Sequence, residues 1–155
     1  MKIAIVYFSG TGNTEKVLKE FESFFKIQNN EVKMIKIESG EYIPTDIDIL
    51  IIGYPVHAFN APKIVLDYFN NISFFKEELP TYIVKTSGEG LTLNNGSSNK
   101  LTSILKNKEI TIFNEYHYLM PYNIIFRHSD KMAYKMWKTV LELIPLDAKE
   151  ILDKK

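Results

Sequence analysis

The sequence predicts a doubly wound α/β fold: a five-stranded parallel sheet in the order 2-1-3-4-5, with helices on both faces. Two observations carry that prediction. Apolar runs of strand length alternate with segments whose apolar residues recur at helical spacing, and strands that alternate with helices pair in parallel. The first run is continuous rather than alternating, as in a strand covered on both faces. This rhythm fills all 155 residues with no linker, low-complexity segment or further repeat, so residues 1–155 read as a single domain.

Each element follows in order. Lys2–Phe8 (K-I-A-I-V-Y-F) is the first strand. A helix over Asn13–Gln28 aligns Val17, Phe21, Phe24 and Phe25, and Asn29-Asn30 stops it. Val32–Ile37 is the second strand, and Asp48–Tyr54 (D-I-L-I-I-G-Y), the most apolar run, is a central one. Ala61–Asn71 forms a helix with Ile64, Val65, Tyr68 and Phe69 on one stripe. Thr81–Thr86 is the fourth strand, and a polar loop rich in Gly, Asn and Ser runs from Ser87 to Ser98. Leu101, Ile104 and Leu105 mark a helix, and Glu109–Tyr118 is the fifth strand. A last helix, Asp130–Ile144, turns Ala133, Met136, Trp137, Val140 and Ile144 to the core; Pro145 interrupts it and a short polar tail follows.

Composition narrows the function. Apolar residues make up 45% of the chain, enough for a packed core rather than a disordered chain. The formal net charge is zero, which argues against a nucleic-acid partner or an anionic membrane surface. There are no cysteines, so disulfides, thiolate metal sites, protein-held iron–sulfur clusters and thiol nucleophiles are excluded. No run reaches the length of a membrane span. The Met1–Phe8 start reads as a buried strand and not as a signal peptide, because no small-residue cleavage site follows it. A cytoplasmic protein is the expectation.

In this topology a ligand sits beyond the carboxyl ends of the strands. After the first strand comes Ser9-Gly10-Thr11-Gly12-Asn13-Thr14, leading into a helix N-terminus, where free N–H groups and the helix dipole attract an anion. No lysine follows the glycines as a Walker loop requires, and Glu15 stands where a dinucleotide fingerprint has its third glycine. Glu38 does sit where a ribose-binding acid would. What remains is a loop of hydroxyls and amides suited to a terminal phosphate monoester. A plain capping turn, with Asn13 or Thr14 as cap, is the simpler reading of the same residues.

The third strand ends in G-Y-P-V-H-A-F-N-A-P, Gly53 to Pro62, an apolar and aromatic loop suited to a flat heteroaromatic ligand. Phe59 or His57 would stack on it; alternatively Phe59 covers the strand end and His57 is an incidental exposed imidazole. The fourth strand ends in Thr86-Ser87-Gly88, whose donors would meet the polar edge of the same rings unless this is a surface loop. Spacing gives no role to Leu119-Met120-Pro121-Tyr122-Asn123. Together the three ends describe a site for a phosphorylated flat heterocycle.

The sequence resembles the flavodoxins. Ser9–Thr14 matches their phosphate-loop pattern [S/T]-x-T-G-x-T position by position. Y-F-S-G-T-G-N-T, G-Y-P-V-H-A-F-N-A-P, K-T-S-G and M-P-Y-N together resemble the flavodoxin-like half of clostridial-type flavodoxin–ferredoxin fusion proteins. The resemblance implies a flavodoxin-like fold and non-covalent FMN used for low-potential one-electron transfer, with no side chain acting as catalytic acid or base. It implies that Ser9, Gly10, Thr11, Gly12, Asn13 and Thr14 hold the phosphate. Pro55, Val56, His57, Ala58, Phe59 and Asn60 would line one side of the isoalloxazine, with Thr86, Ser87 and Gly88 at its other edge. A phosphate held by neutral donors keeps its charge near the ring, which lowers the potential.

The chain also departs from that family. Typical flavodoxins are strongly acidic and this chain is neutral, so a docking rim for basic partners is not expected. The family often has a glycine in the loop after strand 3 whose peptide turns toward the reduced flavin. Tyr54–Pro62 has none, and Asn60 is the residue there that best tolerates positive φ. Without the cluster cysteines, a ferredoxin or reductase partner would be a separate chain. An alternative is an FMN-dependent two-electron reductase moving electrons between NAD(P)H and a quinone-type acceptor, with His57 donating to a substrate oxygen. Arg127, the one arginine, lies far from any expected 2′-phosphate site. A flavin-free response regulator needs aspartates where Phe8-Ser9 and Gly53-Tyr54 stand, and a hydrolase needs a G-x-S-x-G elbow around Ser87.

Overall fold

The structure, a computed structural model, describes residues 1–73, 78–121 and 128–154. Its elements are β1 (Lys2–Tyr7), α1 (Asn13–Ile27), β2 (Glu31–Lys36), β3 (Ile49–Pro55), α2 (Lys63–Asn71), β4 (Thr81–Ser87), α3 (Asn99–Lys106), β5 (Ile112–Leu119) and α4 (Asp130–Leu152). Short 3-10 turns occupy Ile37–Ser39 and Leu91–Asn94. All five strands are parallel, in the order β2-β1-β3-β4-β5.

Successive residues of a strand point to opposite faces, so the apolar runs feed two cores at once. Ile3, Ile5, Ile49, Ile51 and Val84 pack against α1 and α4, meeting Val17, Leu18, Phe21, Val140 and Ile144. Ala4, Val6, Leu50, Ile52 and Ile83 face the other way, onto Val65 and Phe69 of α2 and Leu101 and Leu105 of α3. Gly53 of β3 has a packing reason of its own. A Cβ there would lie 3.1 Å from Leu18 Cδ2 and 3.2 Å from its Cγ, and closer still to Cδ1. The missing side chain lets α1 settle onto the sheet just below the loop that begins it.

The elements fall where the sequence predicts, with shifts at their ends. Asn29, at φ 58°, stops the helix two residues beyond the end of α1, as expected. On α2 only half of the predicted stripe is core: Val65 and Phe69 are buried, whereas Ile64 is exposed and Tyr68 half-buried. β5 begins three residues later than predicted, because Glu109 takes a positive φ of 61° that no strand accommodates.

The largest correction concerns α4, which runs through Pro145 to Leu152. A proline costs its helix the bond to the carbonyl four residues earlier. Here that carbonyl belongs to Leu141, and both residues lie on the exposed side, where the carbonyl is open to solvent. The inner face meanwhile continues with Ala148 and Ile151, each fully buried, and that burial outweighs the lost bond. No helix among the described residues is long and apolar enough to cross a membrane.

Candidate functional site

The carboxyl ends of β1, β3, β4 and β5 enclose a cleft of about 540 Å³. Its lining is Gly10, Thr11, Asn13, Pro55, Val56, His57, Ala58, Phe59, Thr86, Ser87, Gly88, Glu89, Met120 and Pro121. The volume lies in the range that holds small ligands and cofactors. No lysine or arginine is among these lining residues.

The first wall is the loop before α1. Gly12 caps the helix at φ 91° without a side-chain hydrogen bond, so neither Asn13 nor Thr14 is the cap that a plain turn would require. Gly10, Thr11 and Gly12 are exposed, and the first N–H groups of α1 point outward at the positive end of its dipole. Ser9 and Thr14 are buried and brace the loop instead. Ser9 Oγ accepts from the Glu15 N–H at 3.1 Å, and the hydroxyls of Thr14 and Thr86 share a bond of 2.8 Å. Asn13 Nδ2 donates to the Pro121 carbonyl at 3.0 Å, tying the loop to the end of β5. The structure thus divides the six residues into an exposed donor rim and buried supports.

The second wall is a tight turn. His57 N–H donates to Asn60 O at 2.9 Å, and Asn60 N–H returns a bond to His57 O at 3.0 Å. Between them Ala58 and Phe59 both take positive φ, 46° and 61°, the signs of a type I′ turn. Asn60, the residue the sequence favours for positive φ, does not adopt it; it occupies the last position of the turn, where the bridge holds it extended. Two non-glycine residues in the left-handed region cost about 1–2 kcal/mol each. That strain turns Phe59 outward, 53% exposed at the cleft lip. His57 is exposed too, its ring edge-on to Phe8 with centroids 6.1 Å apart.

The third wall is more built than a surface loop. The Val56 N–H donates to Thr86 O and the Met120 N–H to Ser87 O, each at 2.8 Å, extending the sheet past its formal ends. Ser87 Oγ donates to Glu89 O at 2.9 Å and meets His117 Nε2 at 2.8 Å. The hydroxyls of Thr86 and Ser87 therefore serve the protein, and what this wall offers the cleft is its backbone at 87–89. Beneath it lie Asn94, Ser97 and Ser98, all buried. The Ser98 hydroxyl donates to Glu115 Oε1 at 2.7 Å, and the buried Lys85 ammonium donates to Oε2 at 2.9 Å.

No family model matches the sequence, and no curated protein does either. Solved structures do match. The flavodoxin of Streptococcus pneumoniae TIGR4 superposes with a TM-score of 0.69 at 12% identity, over 100% of both chains. The flavodoxin of Fusobacterium nucleatum bound to flavin mononucleotide gives 0.68 at 16%, over 99% of this chain and 98% of that one. The two-electron reduced flavodoxin of Megasphaera elsdenii gives 0.65 at 19%, over 95% and 98%. This is the flavodoxin-like fold. At such identities the likeness establishes the path of the chain.

The flavodoxin-like cleft gathers Gly10, Thr11, Asn13, Pro55, Val56, His57, Ala58, Phe59, Thr86, Ser87 and Gly88 from among the predicted site residues. Ser9, Gly12, Thr14 and Asn60 stand behind or beside its lining. Glu89, Met120 and Pro121 join the wall without having been assigned to it; the M-P-Y-N motif marked the last two, while Tyr122 and Asn123 lie outside the described residues, as does Arg127. His117 escaped the sequence reading. The signal was E-Y-H-Y, where Glu115 and His117 alternate on one face of a strand that ought to be apolar there.

Proposed function

We propose that the chain belongs with the flavodoxins in function as in fold: a cytoplasmic, single-domain protein that binds FMN non-covalently and carries single electrons at low potential. The observation that carries this reading is the cleft itself, with a neutral donor rim at a helix N-terminus on one side and an apolar, aromatic lip on the other. When bound, FMN would supply the redox chemistry, accepting and releasing electrons at its ring system.

The donor set fits that cofactor. Gly10, Thr11 and Gly12 with the first turn of α1 would receive the phosphate, and Ser9 and Thr14 would hold the loop in shape. Pro55, Val56, His57, Ala58, Phe59 and Asn60 would form one side of the ring site, and the Thr86–Gly88 backbone the polar edge. With no lysine or arginine among the described lining residues and Glu89 present, added negative charge on the ring meets no compensating cation among them, which favours a low potential. The partner in this reading is a separate redox protein, a ferredoxin or reductase, docking where Phe59 is exposed.

His57, exposed at the same lip, supports a second reading as a two-electron NAD(P)H–quinone-type reductase. One experiment separates them. The apoprotein is mixed with FMN and with riboflavin, and the loaded protein is then reduced anaerobically in steps while its visible spectrum is followed. Micromolar or tighter FMN binding with much weaker riboflavin binding is expected, together with two resolved one-electron steps. No FMN binding overturns the cofactor reading, and a single two-electron step with steady NAD(P)H oxidation selects the reductase.

A further inference from the structure

The face of the sheet that carries α2 and α3 holds a polar row near the carboxyl ends of β3, β4 and β5. There Tyr54, Lys85 and His117 are cross-strand partners in one row, so their side chains leave β3, β4 and β5 on the same side. Ser87 lies one step above that row and Glu115 one step below it. The end of the 3-10 turn and the residue before α3 reach the group, with Asn94 Nδ2 3.4 Å from Ser87 Oγ and the Ser98 hydroxyl on Glu115. A polar island thus lies directly under the wall at 87–89, with Lys85 and Ser87 buried and Glu115 and His117 half-buried.

Hydrogen counting fixes the state of its histidine. Ser87 has one hydroxyl hydrogen, and it goes to the Glu89 carbonyl. The 2.8 Å contact with His117 then requires the imidazole to donate, so the Nε2 atom carries the proton. We propose that His117 is a positioning residue for the third wall of the cleft: its Nε2–H fixes Ser87 Oγ, which fixes the Glu89 carbonyl, and so sets how the 87–89 backbone meets a bound ligand. This rests on the reading of the cleft as an FMN site.

The surroundings keep the ring neutral. Among the described residues, the charged groups that act on it are Lys85 from β4 and Glu115 from β5, with Tyr54 of β3 beyond Lys85 in the same row and uncharged Ser98 bonded to Glu115. Burial and then the Lys85 ammonium push the imidazole down to about 4, against the opposing pull of Glu115. Glu115 is already engaged by Lys85 and Ser98, which leaves it little to offer a second cation.

The test starts on the apoprotein by NMR, titrated from about pH 7.5 to about pH 4.5, where an ordinary imidazole is almost fully charged. Expected is a His117 ring that stays largely neutral as the Nε2–H tautomer, with steady amide signals at Gly88 and Glu89. In Ser87→Ala the Nε2–H exchanges rapidly with solvent and those amides shift. FMN affinity at pH 7 falls about tenfold in His117→Ala and stays within about threefold of wild type in His117→Gln, which keeps an N–H donor. An Nδ1–H tautomer, a ring charged near its ordinary value, or unchanged affinity in His117→Ala overturns the proposal. If the wild type binds no FMN, the cofactor reading fails alone, because the NMR measurements need no flavin. If His117→Ala does not fold, the wild-type titration and Ser87→Ala still decide.

Discussion

Adding one methyl group at Gly53 should damage both the fold and the cleft. The alanine Cβ would enter space held by Leu18, whose Cδ2 and Cγ lie 3.1 and 3.2 Å from the ideal position and whose Cδ1 is nearer. Leu18 is fully buried among β1, β3 and α1, so it has no open direction in which to turn. Overpacking of this kind costs about 1–3 kcal/mol. For a chain of this size that is a fall in Tm of about 2–12 °C. Thr14 lies one helical turn before Leu18, on the same face, and its hydroxyl meets Thr86. A helix pushed off the sheet therefore pulls at that bond and at the donor rim. Gly53→Ala should lower the denaturant midpoint without changing the slope, and Leu18→Val in the same chain should recover part of the loss. If Gly53→Ala matches the wild type in stability, or if Leu18→Val worsens it by as much as in the wild type, the packing argument is wrong.

Three further outcomes are expected. Replacing Thr11 and Thr14 together by alanine should weaken FMN binding at least about tenfold by fluorescence titration, since Thr11 loses a hydrogen bond to a charged group, worth about 1.5–3 kcal/mol, and Thr14 loses the bond to Thr86 that holds the loop in shape. Ala58→Gly should raise unfolding free energy by up to about 1 kcal/mol in urea, because glycine relieves the positive φ at the cost of a more flexible unfolded chain. Glu115→Gln should destabilise by about 3–5 kcal/mol, because it strands the Lys85 ammonium with its side chain 5% exposed. Lys85→Met should cost distinctly less in the same assay, since the Glu115 side chain is 31% exposed and can reach water.

The fold was legible because its signals are local. A continuous apolar run followed by a helical period identifies a β–α unit without reference to the rest of the chain, and Asn29 announces the end of α1 by itself. The Ser9–Thr14 loop was legible for the same reason, since its density of small donors is its own signal. What escaped depended on neighbours distant in sequence. Pro145 reads as a stop until one knows that its side of α4 faces water while Ala148 and Ile151 face the core. Ile64 and Tyr68 look like core beside Val65 and Phe69, and only the placement of α2 shows which side is inner. Ser87 and His117 are thirty residues apart, and the parallel register of β4 and β5 is what makes them a pair. The positive φ of Ala58 and Phe59 comes from the bridge that closes around them, against the preference of either residue.

The hydroxyl pair of Thr14 and Thr86 has a consequence that distance alone does not convey. Two hydroxyls hold two hydrogens but share one bond, and either oxygen can be the donor. One hydrogen is therefore always left over, on the accepting side. When Thr14 donates, Thr86 has the spare hydrogen to direct at an acceptor near its own end; when Thr86 donates, the spare belongs to Thr14. The direction of the bond between these two walls can therefore reverse while every heavy atom stays in place.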